Sequence, residues 1–341
     1  MQNKFGQKIE LLAPAGNFER LKVAFHFGAD AVYLGGKEFG LRARSGNFDE
    51  KELENATEYA HKLGKKVYVT VNIFAKNADF DGIKKYAKFL NKIQPDAVIV
   101  SDLGVLKVFH DNTNLEIHIS TQANITNKYT AMQYVELGAK RVILARELPL
   151  ADIAEIAEYL HGRAIVEVFV HGAMCISYSG RCLLSNYMVG RESNRGDCAQ
   201  PCRYKYALVE EKRPNEYYPI AETDNGTYIL NSRDLCLINH IRELADAGVG
   251  SFKIEGRMKS EYYVGGVTNA YRRAIDSAAN ANTPGSSPLS QNTANITKAN
   301  NPAQNMNNVA NANTPTQNIN NVANANKFDF VAELEKLSHR P

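Results

Sequence analysis

The sequence predicts an α/β protein: a (β/α)8 TIM-like barrel with a cysteine-bearing insertion after strand 7. Three observations predict it. Eight short runs rich in Val and Ile alternate with eight helix-like stretches between residues 9 and 278, the rhythm of a parallel sheet covered by helices. The runs are apolar throughout, as strands buried on both faces are. Polar residues collect at their carboxyl ends, which a barrel gathers on one rim. An open doubly wound sheet is the alternative that the same alternation allows.

The elements follow in order. IELLAPA (9–15) leads into a helix at 18–28, with Asn17 as N-cap and Gly28 as stop. AVYLGG (31–36) precedes a helix at 50–63, stopped by Gly64. KVYVTVN (66–72) precedes 81–94, and AVIVSD (97–102) precedes 103–111. EIHISTQ (116–122) precedes 127–138, closed by Gly138, and RVILARE (141–147) precedes 151–160. AIVEVFVHG (164–172) opens a long excursion to about Thr227, before a helix at 234–247 with Ser232 as N-cap and Gly248 as stop. SFKIEG (251–256) and a helix at 259–278 complete a domain spanning 1–280.

Residues 281–326 break the pattern. They carry one charged residue, Lys298, no aromatic, and a thirteen-residue repeat, NMNNVANAN at 305–313 and NINNVANAN at 318–326. So little apolar surface cannot offset ordering entropy, and disorder is expected. In 327–341, Phe330, Leu334 and Leu337 share one helical face, which predicts a short helix.

Among 341 residues, Lys+Arg 40 against Asp+Glu 37 gives a net charge of +3, so a grossly basic or acidic surface is excluded. A local basic patch is not. No apolar stretch approaches the ~18 residues of a membrane helix, and the amino terminus has no apolar signal core, so a cytoplasmic protein is expected.

The five cysteines are Cys175, Cys182, Cys198, Cys202 and Cys236. In a cytosolic chain, clustered thiols point to metal or redox chemistry rather than disulfides. Their spacing, C-x6-C-x15-C-x3-C-x33-C, matches neither a zinc ribbon nor the bacterial ferredoxin run. It leaves an iron–sulfur cluster and a tetrahedral zinc site both open. Cys236 is expected in the first turn of the 234–247 helix.

The strand ends supply the other candidates: Asn72, Gln122, Arg146, His171, Lys253, Glu255 and Arg257. Alternation along KIEGR sends Lys253 and Glu255 to one side, as an ion pair closing the barrel or as part of a site. Arg257, with Arg146 and His171, suits an anionic ligand such as a dicarboxylate, because a guanidinium grips carboxylates bidentately. Arg42, Arg44, Arg191, Arg195, Arg203 and Lys205, interleaved with Tyr178, Tyr187, Tyr204 and Tyr206, are candidate phosphate and ring-stacking contacts should the partner be a nucleic acid.

ELLAPAG, GADAVYLGG, YVTVNIF, EIHISTQ, HGAMC, SGRCLLSNY, NRGDCAQPCR and KIEGRMKSEYYV together resemble the collagenase-like "unassigned mechanism" peptidase family of bacteria, over 8–278 and again at 330–341. Members of that family act mainly in oxygen-independent hydroxylation. One branch acts on the tRNA wobble uridine, one on a cytidine of 23S ribosomal RNA, and a paired branch in ubiquinone synthesis. NRGDCAQPCR and KIEGRMKSEYYV are most similar to the tRNA branch. The resemblance implies a 4Fe-4S cluster held by Cys175, Cys182, Cys198 and Cys236, with Cys202 the rival for one place. It also implies prephenate or a derivative as the hydroxyl source and tRNA as partner. Glu255, Arg257 and His171 are then the catalytic candidates, and Asn72, Gln122, Arg146 and Lys253 line the substrate. In the family, a small β-rich domain follows SHRP, and this chain stops at Pro341, so a truncated product is expected.

Proteolysis ranks second. Neither HExxH nor G-x-S-x-G is present, and a thiol protease needs a single activated cysteine near a histidine, the role open to Cys175 with His171. A non-catalytic RNA-binding module ranks third.

Overall fold

The computed structural model describes residues 1–41, 46–175, 177–204, 207–209, 211–212, 214, 217–219, 234–280 and 334. Eight parallel strands close a barrel. They are β1 (Glu10–Pro14), β2 (Ala31–Gly35), β3 (Lys66–Val71), β4 (Ala97–Val100), β5 (Glu116–Ile119), β6 (Arg141–Ile143), β7 (Ile165–Gly172) and a last strand at Ser251–Ile254. Each pairs with the next, and the last pairs with both β7 and β1, which closes the ring. The open-sheet alternative is thereby excluded.

Helices α1 (Phe18–His26), α2 (Glu50–Lys62), α3 (Phe80–Ile93), α4 (Leu103–Asn112), α5 (Lys128–Glu136) and α6 (Leu150–Leu160) follow the first six strands. Their starts are written in the sequence. Asn17, Asp102 and Asn127 each accept a first-turn backbone N–H, and Asp49 forms a capping box with Glu52. Gly28, Gly64, Gly138 and Gly248 take positive φ just beyond the helix ends, as expected. The main apolar core lies between barrel and helices, and a second cluster, including Leu12, Tyr33, Ile99 and Phe169, fills the barrel itself.

After β7 the insertion carries the short helix α7 (Leu184–Val189) and a hairpin of β8 (Ala207–Val209) and β9 (Tyr217–Pro219). The helix expected at 234–247 is shorter. Leu235–Cys236 forms a strand, β10, antiparallel to the end of β7, and α8 (Ile241–Asp246) begins only after it. The end of β7 runs past its parallel neighbours, and β10 takes up its free backbone groups: the Leu237 N–H donates to the Val170 carbonyl at 2.9 Å. The last barrel strand is then β11 (Ser251–Ile254), followed by α9 (Glu261–Asn280). Leu334 is buried against the main core. The rest of the helix expected at 327–341, the segment 281–326 and Ser232 lie outside the described residues.

Candidate active site

The inner face of the barrel is more polar than the strand runs suggested. At its amino-terminal end Arg141 is fully enclosed and binds Glu10 (2.5 Å) and Glu167 (2.6 Å), with Ser251 at 3.0 Å and the Tyr68 hydroxyl at 3.3 Å. Burial works against the Glu10 carboxylate, but Arg141 and the Tyr68 hydroxyl outweigh it and hold its pKa down to about 2. Beside them burial, aided by the Arg141 charge, pushes the His118 pKa down to about 4. This layer is a floor that seals the barrel.

Lys253 rises from that floor. Its ammonium binds Glu167 at 3.0 Å and lies over the Tyr33 ring. The expected Lys253–Glu255 pair is therefore corrected: both side chains face inward, but the neighbouring strand offers Lys253 a fully buried carboxylate, Glu167, level with Ser251 and below Lys253. Glu255 sits one layer higher and accepts a hydrogen bond from the Tyr33 hydroxyl at 3.2 Å.

Above lies the mouth. Asn72, Gln122, Lys253, Glu255 and Arg257 line one cavity of about 410 Å³ with its opening included, with Tyr33, Thr70 and Phe169 in its wall. The Arg257 guanidinium is buried and donates to Thr70 Oγ1 at 3.3 Å and to Asn47 Oδ1. Five of the seven strand-end candidates thus converge.

The insertion roofs this mouth. A second cavity, about 700 Å³ with its opening included, shares Leu41, Thr121, Gln122, Phe169 and Glu255 with the first. Its upper wall carries Cys175, Cys182, Cys198 and Cys202. Burial raises the Cys202 thiol pKa, and Cys175, Cys198 and Cys182 nearby raise it further. The Gln200 N–H donates to Cys198 Sγ at 3.3 Å. Contacts at two points hold the roof. At its start Arg146 donates to the Ala173 carbonyl (2.7 Å) and Ser179 Oγ (2.8 Å). Across the mouth Arg195 grips Asp79 through two bonds of 2.8 and 3.0 Å, beyond β3. That pairing and the Lys76 N–H hold the Asp79 pKa down to about 2.

The structure moves three of the candidates elsewhere. His171 does not line either cavity; it is buried between Tyr263 and Tyr271. The cause is an irregularity between Lys253 and Ile254, where β7 gains a residue and His171 pairs with outward-facing Ile254. Such a bulge re-aims a side chain. Arg146 reaches the thiol-lined cavity, but two of its donors clamp the insertion. Cys236 is exposed on β10, opposite His171 and beside the Tyr271 hydroxyl, and the residues lining the thiol cavity do not include it. Of the proposed RNA contacts, Arg191 pairs with Asp197 and Arg195 with Asp79, while Tyr187 stands almost fully exposed at 88%. Arg42, Arg44, Lys205 and Tyr206 lie outside the described residues.

Sequence reasoning missed Tyr33, Thr70, Phe169 and Asn47. Strand alternation carries a signal for the first three, each two residues from another inward position. Asn47, in a loop, carries none.

The thiols fit a soft metal centre in kind and in their placement around one cavity. Among the described residues, no three His, Cys, Asp or Glu groups stand at metal-holding geometry. Loading would require the insertion to draw its thiols inward.

A profile described as Peptidase family U32 matches residues 16–327. The tRNA hydroxylation protein P1 of Bacillus subtilis is 44% identical over 271 residues, covering 79% of this chain and 64% of that protein. An uncharacterized protease of Methanocaldococcus jannaschii is 46% identical over 272 residues, covering 79% and 65%. The 23S rRNA 5-hydroxycytidine C2501 synthase of Escherichia coli is 36% identical over 269 residues, covering 79% and 39%. The chain thus spans about two thirds of the length of the first two.

Proposed function

The chain belongs to peptidase family U32, and from that premise we propose that it is an RNA-hydroxylating enzyme acting on the tRNA wobble uridine to give 5-hydroxyuridine. The observation that carries the proposal is the pair of joined cavities. A roof of thiols faces a mouth in which Glu255, Arg257 and Lys253 stand together, with Gln122 and Glu255 reaching both spaces. The names of relatives that act in tRNA hydroxylation and 5-hydroxycytidine synthesis support the reaction class.

The roof would hold a 4Fe-4S cluster, with zinc as the alternative occupant. Cys175, Cys182 and Cys198 are common to the set that the family resemblance implies and the set that the cavity assembles. Cys236 is the fourth ligand in the first set and Cys202 in the second. When bound, a cluster would supply one-electron chemistry beside the mouth.

The residues beneath hold and orient. Arg257, fixed by Thr70 and Asn47, presents a positive charge to an anionic hydroxyl donor, prephenate or a derivative. Lys253 adds charge from the floor, partly neutralised by Glu167. Glu255, steadied by Tyr33, stands at the junction of the cavities, where it can take up a proton. A thiol protease would need an imidazole beside its thiol, and among the described residues the wall of the thiol cavity has none.

The test is mass spectrometry of tRNA nucleosides from cells lacking the gene. Loss of 5-hydroxyuridine-type nucleosides supports the reading, and their retention refutes it.

A further inference from the structure

The mouth contains a chain of amides whose polarity one backbone group sets. The Leu41 N–H points at the Asn72 side chain, with 3.2 Å between nitrogen and oxygen. An N–H can only donate, so the Asn72 carbonyl oxygen faces Leu41 and its NH2 faces the other way. That NH2 donates to Ser120 Oγ at 3.2 Å and to Gln122 Oε1 at 3.1 Å. The Ser120 hydroxyl also donates to Gln122 Oε1. Two donors therefore fix the Gln122 oxygen inward, and its NH2 is left pointing away from Asn72. Asn72 and Ser120 are buried, so water does not compete for these bonds. The insertion holds the same side chain from above: a Cβ on Gly180 would lie 3.0 Å from Gln122 Cγ, and Gly180 has φ +73°. Gln122 lines both cavities, at their junction with Glu255.

We propose that Gln122 presents a fixed N–H donor to a ring carbonyl of the pyrimidine that enters the thiol-roofed cavity, and that Asn72 is a positioning residue that sets this polarity through Gln122. The proposal deepens the RNA reading and rests on it for the identity of the ring. Uracil and cytosine both offer a ring carbonyl oxygen that such a donor can pair with, so a fixed donor orients the ring: a pose that turns a ring N–H or amino group toward Gln122 leaves its N–H unpaired.

Two isosteric changes test it. In Asn72→Asp the carboxylate still accepts from Leu41, but it cannot donate, so Gln122 turns its NH2 inward and its oxygen toward the substrate. In Gln122→Glu the carboxylate still accepts from Asn72 and Ser120, but the donor toward the cavity is gone. Each single variant keeps its internal hydrogen bonds; half-buried Gln122→Glu is expected to melt near the wild type, and Asn72→Asp, which buries a carboxylate, below it. Each is also expected to lower the hydroxylated nucleoside, measured in tRNA from complemented deletion cells, roughly tenfold or more. The double variant sets two carboxylates face to face, and its melting temperature should fall about 4 °C or more beyond the sum of the singles. Additive melting temperatures would overturn the amide chain. Wild-type nucleoside levels in either single variant would overturn the donor role. Half-buried Gln122 can take Glu without steric change, so Gln122→Glu decides the donor role even where Asn72→Asp fails to fold. If the wild-type chain itself restores no hydroxylated nucleoside, the RNA reading falls and the pyrimidine partner with it, while the melting cycle still judges the polarity of Gln122.

Discussion

Arg257 is held as much by what its neighbours lack as by what they offer. A Cβ on Gly16 would lie 2.1 Å from the Arg257 carbonyl oxygen, and one on Gly35 would lie 2.5 Å from Nη2. The glycines of APAG and YLGG are thus spaces cut for this residue and its loop, and the three motifs form one construction. The thiols pose the sharper question at this scale. A four-iron cluster takes one protein ligand per iron, and five cysteines leave one over. Iron and sulfide counts on five purified Cys→Ala variants should show loss at Cys175, Cys182 and Cys198, and at one but not both of Cys202 and Cys236. Loss at Cys202 would mean that the insertion draws in its own four thiols with β10 left in place; loss at Cys236 would mean that β10 leaves β7 to bring its thiol in. Full iron in Cys198→Ala would refute the cluster site.

Among elements, the floor of the barrel makes stability depend on pH. His118 is fully buried, with Arg141, Glu116, Glu10, Glu167 and Tyr68 around it, and its folded pKa of about 4 lies below the ordinary 6.5. The unfolded chain therefore binds the proton more readily. Stability is complete above pH 6.5 and falls as pH drops toward 4, by about 3 kcal/mol if His118 acts alone. Glu10, held near 2 against an ordinary 4.5, extends the loss below pH 4.5. Urea melts of His118→Gln across pH 7 to 4 should be flatter than those of the wild type, and an unchanged slope would show that His118 does not carry this limb. Much of this architecture was legible beforehand. Eight strands announced themselves by apolar runs at regular intervals, and inward polar groups such as Asn72, Gln122 and Glu255 by their place at strand ends. The bulge that turns His171 outward was not, because it depends on the register between β7 and β11, two strands some eighty residues apart. Nor was the Lys253–Glu167 pair, since a lysine in one strand says nothing of which neighbour carries its carboxylate.

At the scale of the whole molecule, a closed barrel supplies a rigid cup and the insertion supplies its roof, anchored by Arg146 at one side and by Arg195–Asp79 at the other. No described helix is long and apolar enough to cross a membrane. The 281–326 segment lies outside the described residues, and its composition supports the proposal that it contributes no packing. Deleting it should leave the melting temperature within about 2 °C and the iron content unchanged, because loop length costs only ~0.6 kcal/mol per doubling. A large fall in melting temperature would show that it packs.

The central claim, that the mouth beneath the thiols performs RNA hydroxylation, is tested most directly by nucleoside mass spectrometry of tRNA from deletion cells complemented with the wild-type gene or with Arg257→Lys. The lysine keeps the charge and loses the two-pronged grip. The wild type should restore 5-hydroxyuridine-type nucleosides, while Arg257→Lys, folded and iron-loaded, should restore less than about a tenth as much. Equal restoration by both would contradict that claim.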